Sequence, residues 1–248
     1  MPRAARPKRG GFLRELVFDL GDVDRRAYPF SIPAVADTKR LAFAPNVTFF
    51  VGENGSGKST LIEAVAIAMG LNPEGGSENF SFAMRPSESE LHRHVKPIRG
   101  VDRPTRRFFL RAETLFNVAT VAEELGLQAY GWENVHERSH GEAFLFVLEE
   151  RFVPGGFYIL DEPEAALSPT RLLRFLAQLH HLVRGGAQLV IATHSPILLA
   201  YPHATIYELG PWGIRETDFE SCEHVRVTRE FLAHPDRFLK HLLGDDVP

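Results

Sequence analysis

The sequence has little of several features that would define a special class of protein. It contains one cysteine, Cys222, so no disulfide can form within the chain and a disulfide-rich scaffold is excluded. Its longest apolar runs, such as 189–192 and 197–201, are far shorter than the roughly 20 residues of a membrane-spanning helix. No apolar stretch follows the basic start, so we expect no signal peptide. A formal net charge of −4 argues against coating of nucleic acid by bulk electrostatics, although a local basic patch is still allowed.

The composition is that of a folded protein in a reducing, cytoplasmic setting, with 44% hydrophobic and 24% charged residues. We predict a flexible basic tail over residues 1–11 and a single domain over 12–248. Residues 71–104 hold many glycines, prolines and charges, which predicts a loop or insertion without regular structure. Elsewhere strand-like segments alternate with helix-like ones. This alternation predicts an α/β fold in which a mainly parallel sheet is flanked by helices.

The most specific motif is a phosphate loop between a predicted strand and a predicted helix. Residues 52–59 fit the pattern G-x-x-x-x-G-K-[ST] at every position. Glycines in such a loop allow backbone N–H groups to surround phosphate oxygens at a helix N-terminus. Lys58 is expected to neutralise the outer phosphates, and Ser59 to bind Mg²⁺. We therefore predict binding of ATP and Mg²⁺, with nucleotide contacts from Gly52, Asn54, Gly55, Ser56, Gly57, Lys58, Ser59 and Thr60.

Two further polar clusters end apolar strands later in the chain. Asp161 and Glu162 follow the predicted strand at 157–160, and His194 follows the one at 188–193. Polar groups at the carboxyl ends of strands meet at the edge where open α/β sheets bind ligands. There Asp161 would serve the Mg²⁺ site through a bound water, Glu162 would activate the attacking water, and His194 would donate to the γ-phosphate. Each cluster alone also fits an ordinary role, as solvated acids at a turn or as a structural histidine.

Together these motifs resemble the ATP-binding cassette (ABC) ATPases, in the broad sense that includes the SMC and RecF types. The phosphate loop, a Walker B strand at 158–162 and a switch histidine at His194 follow the family's order. Residues 164–168 occupy its D-loop position, and a degenerate form of its LSGGQ signature is found in Ser139, Gly141 and Glu142. More narrowly, the chain is similar to small stand-alone bacterial ATPases that are often labelled AAA family.

The resemblance implies a head-to-tail homodimer, with ATP held between the phosphate loop of one subunit and the signature of the other. Members of the family use a glutamine near Mg²⁺ and an aromatic side chain against the base. The strand predicted at 107–111 corresponds to the one that carries this glutamine, but here it is followed by Ala112 and Glu113, and Glu113 would replace the glutamine. Tyr28 has the spacing of the stacking aromatic. The sequence leaves two alternatives open, because Ser139 and Glu142 also form a capping-box pattern and Tyr28 also fits a core or turn aromatic.

We therefore expect a cytoplasmic, Mg²⁺-dependent ATPase that works as a homodimer and drives or times the action of an unknown protein partner. Lys58, Glu162 and His194 are the expected catalytic groups. The alternatives are an ATP-held, non-catalytic recruitment module and, ranked last, the energy subunit of a transporter, since the reduced helical region at about 71–140 leaves little room to grip membrane subunits. By analogy with repair or defence systems, DNA is a further candidate partner, through the basic stretch 85–107.

Overall fold

The computed structural model describes residues 10–73, 75–77, 89–124 and 138–244, and two sheets form its frame. The strands in chain order are β1 (Leu13–Phe18), β2 (Arg40–Ala42), β3 (Val47–Gly52), β4 (Gly76–Ser77), β5 (Val95–Arg99), β6 (Arg107–Arg111), β7 (Phe157–Asp161), β8 (Gln188–Ala192), β9 (Thr205–Gly210) and β10 (Gly213–Thr217). The helices are α1 (Pro33–Ala36), α2 (Lys58–Ala68), α3 (Leu115–Glu124), α4 (His140–Arg151), α5 (Pro169–Arg184), α6 (Pro196–Leu199), α7 (Glu223–Ala233) and α8 (Pro235–Leu243). Predictions that fall on 1–9, 78–88 and 125–137 lie outside the described residues.

Seven of the strands form one large sheet in the order β10-β9-β3-β8-β7-β6-β4. The five central strands run parallel to one another, and β4 and β10 are antiparallel edge strands. Helices connect the parallel strands, because a parallel pair needs a long crossover connection. The predicted α/β fold with a mainly parallel sheet is therefore confirmed.

The large sheet is covered on both faces, and its strands send alternate residues into two separate cores. Phe49 of β3 packs in one core with α4 and α5, whereas its neighbour Phe50 packs in the other with α2. This follows from the two-residue period of a strand. All six residues of β3 are buried, which is typical of a parallel strand covered on both sides. Phe50, Ala192 and Asp161 are in register across β3, β8 and β7, so the ends of these strands share one edge.

A second, antiparallel sheet corrects the prediction for residues 71–104. In this sheet β1 lies between β2 and β5, so Val95–Arg99 is a strand and not an unstructured loop. The local pattern hides the strand, because Pro97 interrupts it and its partner β1 lies far earlier in the chain. The Gln188 side chain joins the two sheets: it accepts from the Leu13 N–H (2.9 Å) and donates to the Leu13 carbonyl (2.8 Å).

The last two helices are the most exposed elements of the described chain. Val225 is buried in α7, and no residue of α8 is. In the described ranges, no helix has both the length and the apolar character that crossing a membrane requires. The division into a tail over 1–11 and one domain over 12–248 stays a prediction.

Candidate active site

The phosphate loop lies between the end of β3 and the start of α2, and it leaves the helix start open. No side chain caps the N-terminus of α2, whose first turn also holds no acidic residue. Gly57, the capping residue, has a φ of 98°, and a Cβ there would lie 2.7 Å from Cγ2 of Ile32. Both the left-handed backbone and this contact require glycine. Free N–H groups and the positive end of the helix dipole therefore face the loop.

Lys58 is buried beside the loop, where backbone oxygens hold its ammonium group. Its Nζ donates to the carbonyls of Gly52 (2.8 Å) and Glu53 (3.2 Å). Burial lowers the pKa of Lys58, and nearby carboxylates, of which Glu162 has the largest effect, act in the opposite direction. The arrangement places one buried positive charge next to a loop of N–H donors, which is a suitable environment for a phosphate group.

Asp161 ends β7 and faces Ser59 of the phosphate loop, as the sequence predicts for a Mg²⁺ site. The two side-chain oxygens, Ser59 Oγ and Asp161 Oδ1, lie 3.5 Å apart. Burial raises the pKa of Asp161 to about 6, and Arg111, whose Nε lies 3.4 Å from Oδ2, opposes this shift. A small cavity of about 50 Å³ at this point is also lined by Glu113, which the structure therefore brings to the predicted place.

The oxygen atoms around this cavity are the kind that Mg²⁺ prefers. Ser59, Asp161 and Glu113 supply a hydroxyl and two carboxylates. Among the described residues there is no group of three or more His, Cys, Asp or Glu side chains that could hold a metal. The donor set nevertheless fits Mg²⁺ in a nucleotide site, since that ion usually keeps waters and phosphate oxygens and takes only one or two protein carboxylates.

Glu162 and His194 contact each other next to Asp161. Glu162 Oε1 lies 3.2 Å from His194 Nε2, and the two side chains are 30% and 28% exposed. Glu162 has a left-handed backbone (φ 49°), an uncommon conformation for a residue with a side chain and one that is concentrated at functional sites. Its N–H donates to the Ala192 carbonyl (3.0 Å), which fixes this turn against β8. The structure thus brings together the predicted carboxylate and imidazole.

Three further residues contact this cluster and were not predicted from the sequence. Arg111 pairs with Asp161 and lies 3.8 Å from Glu63, and its place at the end of a strand-like run was a usable signal in the sequence. The Glu164 carboxylate accepts from the backbone N–H of His194. The ring of His224, in the first turn of α7, has Nε2 3.4 Å from Nδ1 of His194. No local pattern indicates this last contact, because α7 belongs to a distant part of the chain.

The predicted signature lies at the start of α4, where its residues interact with side chains of the same chain. Glu142 Oε2 accepts from the Ser139 hydroxyl (2.7 Å) and from the Ser139 N–H (3.1 Å). These two hydrogen bonds lower the pKa of Glu142, and Arg171 lies 3.3 Å from its other oxygen. A Cβ on Gly141 would lie 2.8 Å from the Ala166 carbonyl. The structure therefore realises the capping interaction, and nothing in these contacts joins Ser139 to the phosphate loop of the same chain.

Tyr28 lies next to the phosphate-loop helix. Its hydroxyl is 3.2 Å from Oγ1 of Thr60, and its side chain is exposed. Both observations agree with an aromatic available to a bound base and disagree with a core position. Tyr28 does lie in a turn, so the alternative of a turn aromatic stays open. Next to the loop, a cavity of about 540 Å³ is lined by residues 52–56, by His224 and by the β9–β10 turn with Trp212.

Two family models match the chain, and each covers a different half of this site. Residues 30–114, which include the phosphate loop and Arg111, match a family described as "AAA domain". Residues 143–200, which include Asp161, Glu162 and His194, match one described as "AAA domain, putative AbiEii toxin, Type IV TA system". No curated protein matches the sequence.

Solved structures that resemble the chain include the SMC head domain from Thermotoga maritima, at 17% identity, a TM-score of 0.44, and coverage of 83% of this chain and 98% of that one. Another is described as "Structure of ATP binding subunit of ABC transporter", at 15% identity, a TM-score of 0.45, and coverage of 88% and 93%. Because both TM-scores lie below 0.5, no conclusion about this protein rests on these two likenesses.

The fold and the phosphate loop define a P-loop nucleotide-binding protein. The two AAA-domain matches, over residues 30–114 and 143–200, agree with the resemblance of its motifs to P-loop ATPases.

Proposed function

We propose that this protein binds ATP with Mg²⁺ and hydrolyses it, with Glu162 as the general base. The contact between Glu162 and His194, next to the buried Lys58, is the observation that carries the proposal. A protein that only binds ATP has no need for a half-buried carboxylate held in a left-handed backbone at this edge. A carboxylate in contact with solvent can accept a proton from an attacking water.

Each residue of the site has a separate task in this proposal. The phosphate-loop N–H groups and Lys58 hold the β- and γ-phosphates and stabilise charge on the transferred group. Ser59, Asp161 and Glu113 would hold Mg²⁺, which would neutralise phosphate charge. His194 donates a hydrogen bond to the γ-phosphate, and Tyr28 stacks on the base. Glu162 removes the proton of the water that attacks the γ-phosphorus.

We further propose that the working form is a homodimer with ATP between the subunits. The support is the position of Ser139 and His140 at the start of α4: both are exposed, so a second copy could reach this helix start once Glu142 has moved away from it. A cytoplasmic protein partner, or DNA, would then respond to the ATP-bound and opened forms. The closed state of the α4 start favours a second candidate, an ATP-held recruitment module that hydrolyses slowly or not at all.

Glu162→Gln separates the two candidates. We expect ATP binding to be retained while turnover falls by about 100-fold or more, because the amide cannot accept the proton. Steady-state hydrolysis and nucleotide titration measure the two effects, and Glu149→Gln, an exposed carboxylate paired with Arg174, is the matched control. Equal turnover in wild type and Glu162→Gln would remove Glu162 from the mechanism. Specific activity that rises with protein concentration would support the dimer.

A further inference from the structure

Four side chains form a continuous series of contacts from the candidate base to the rim of the phosphate loop. Glu162 Oε1 lies 3.2 Å from His194 Nε2, and His194 Nδ1 lies 3.4 Å from His224 Nε2. The same His224 nitrogen lies 3.6 Å from Oε1 of Glu53, whose side chain is almost fully exposed. The two imidazoles are therefore enclosed between two carboxylates.

The surroundings of His224 decide which of its nitrogens carries the proton. Nδ1 of His224 is buried and has no hydrogen-bond partner, while Nε2 faces a carboxylate and the His194 ring. A neutral imidazole has one donor and one acceptor, and an ionised carboxylate can only accept. The proton therefore belongs on Nε2, since a proton on Nδ1 would be a buried donor without an acceptor. Burial lowers the pKa of His224, with the nearby His194 acting in the same direction, which agrees with a neutral ring.

The assignment extends from His224 to His194. When His224 donates from Nε2, Nδ1 of His194 accepts, and the proton of the His194 ring must lie on its Nε2. In the chain without nucleotide, that proton faces Glu162, which accepts it. If both protons lay on Nδ1 instead, the Nε2 lone pairs of His194 and His224 would point at the carboxylates of Glu162 and Glu53. The His194 backbone is fixed separately, because its N–H donates to Glu164.

We propose that His224 is a positioning residue for ATP hydrolysis: it holds His194 in the tautomer whose proton lies on Nε2, the nitrogen that faces Glu162. In this proposal His224 acts through its contact with His194. The orientation of the imidazole therefore depends on α7, an element outside the sheet that carries the rest of the site. The part of this proposal that concerns turnover rests on the proposed ATPase function, and the part that concerns the tautomer does not.

The tautomer is measured by ¹⁵N NMR of the histidine rings in the nucleotide-free full chain. Comparison with His194→Gln assigns the His194 signals. We expect Nε2–H in the wild type and in His224→Gln, whose side-chain amide can still donate to Nδ1. In His224→Leu, which has no donor, we expect a shift toward the other tautomer. Nδ1–H in the wild type, or an unchanged His194 spectrum in His224→Leu, would overturn the proposal.

Kinetics then test the link to turnover. We expect His224→Leu to lower kcat by about 10- to 100-fold with ATP affinity unchanged, and His224→Gln to recover most of the loss. In a His194→Ala background, His224→Leu should cause no further loss, because its target is already absent. His234→Leu, an exposed histidine at the end of α7, is the control. A full additional loss in the His194→Ala background would refute action through His194. Absence of turnover in the wild type would instead refute the proposed function and leave the tautomer result standing.

Discussion

Two helices in this chain, α2 and α4, begin with small residues that resemble nucleotide-binding motifs. The two helix starts differ in whether a side chain of the protein already occupies them. The start of α2 follows the phosphate loop and has no side-chain cap and no acid in its first turn. The start of α4 has Glu142 in its first turn, and that carboxylate accepts from both the N–H and the hydroxyl of Ser139. One start is open to an external anion, whereas the other already holds an anion of its own.

The carboxylates near the two helix starts differ in burial and in the direction of their pKa shifts. Asp161, which faces Ser59 at the open start, is buried, and its pKa is raised to about 6. Glu142 at the closed start is exposed, and hydrogen bonds from Ser139 lower its pKa, so it stays charged. The comparison teaches that the phosphate loop is ready for ATP in the free chain. In the proposed homodimer, Glu142 must move away from the α4 start, or lose its charge, before a phosphate bound by the second subunit can approach this helix start.

Removal of the positive charge at the open start is expected to have the largest effect. Lys58→Met keeps most of the buried length but leaves the loop without its ammonium, so we expect ATP affinity to fall by about 100-fold or more. Calorimetric titration of ATP measures this loss. Lys96→Met, which removes an exposed lysine paired with Asp19, is the control and should bind normally. Normal ATP affinity in Lys58→Met would mean that the open helix start alone holds the phosphates.

The second effect concerns the buried carboxylate at the open start. The native pKa of Asp161, about 6, lies above its ordinary value of 3.8, so the native state binds this proton more tightly than the unfolded state. The free energy of unfolding contributed by Asp161 is therefore lost as pH rises from about 4 to about 6. Without nucleotide or divalent cations, we expect Asp161→Asn to be more stable than wild type by about 2 kcal/mol at pH 7.5 and equally stable at pH 4.

Urea unfolding at the two pH values measures this difference. Asp19→Asn is a suitable control, because Asp19 is exposed, its partner Lys96 lowers its pKa, and no gain in stability at pH 7.5 is expected. If Asp161→Asn were no more stable at pH 7.5 than wild type, the contrast between the two carboxylates would fail.

The smallest effect is expected at the closed start. Glu142→Gln removes the negative charge but keeps an oxygen that can accept from Ser139. In a Glu162→Gln background that retains ATP, we expect dimerisation at about two- to fivefold lower protein concentration, because the charge no longer opposes the γ-phosphate. Sedimentation velocity with ATP measures the midpoint, and Glu149→Gln on the same helix is the control. Weaker dimerisation in Glu142→Gln would show that the carboxylate assists the contact.

Elements that depend on a local sequence pattern could be predicted, whereas elements and contacts that depend on distant parts of the chain could not. The strands predicted at 157–160 and 188–193 are found at Phe157–Asp161 and Gln188–Ala192, because a continuous apolar run is a local signal. The strand Val95–Arg99 was wrongly predicted as a loop, since β1 stabilises it from far away in the chain. His224 could not have been placed for the same reason: its neighbours His194 and Glu53 belong to other strand ends.

The sequence by itself determined the class of this protein, because the spacing of glycines and Lys58 after a strand specifies a phosphate loop without reference to the rest of the chain. It also determined which strand ends carry Asp161, Glu162 and His194. The tertiary structure alone decided the states of these groups. Burial raises the pKa of Asp161, the packing of α7 places His224 against His194, and Glu142 closes the second helix start. Desolvation and hydrogen-bond geometry depend on the atoms that surround a side chain, and folding assembles those atoms from distant segments.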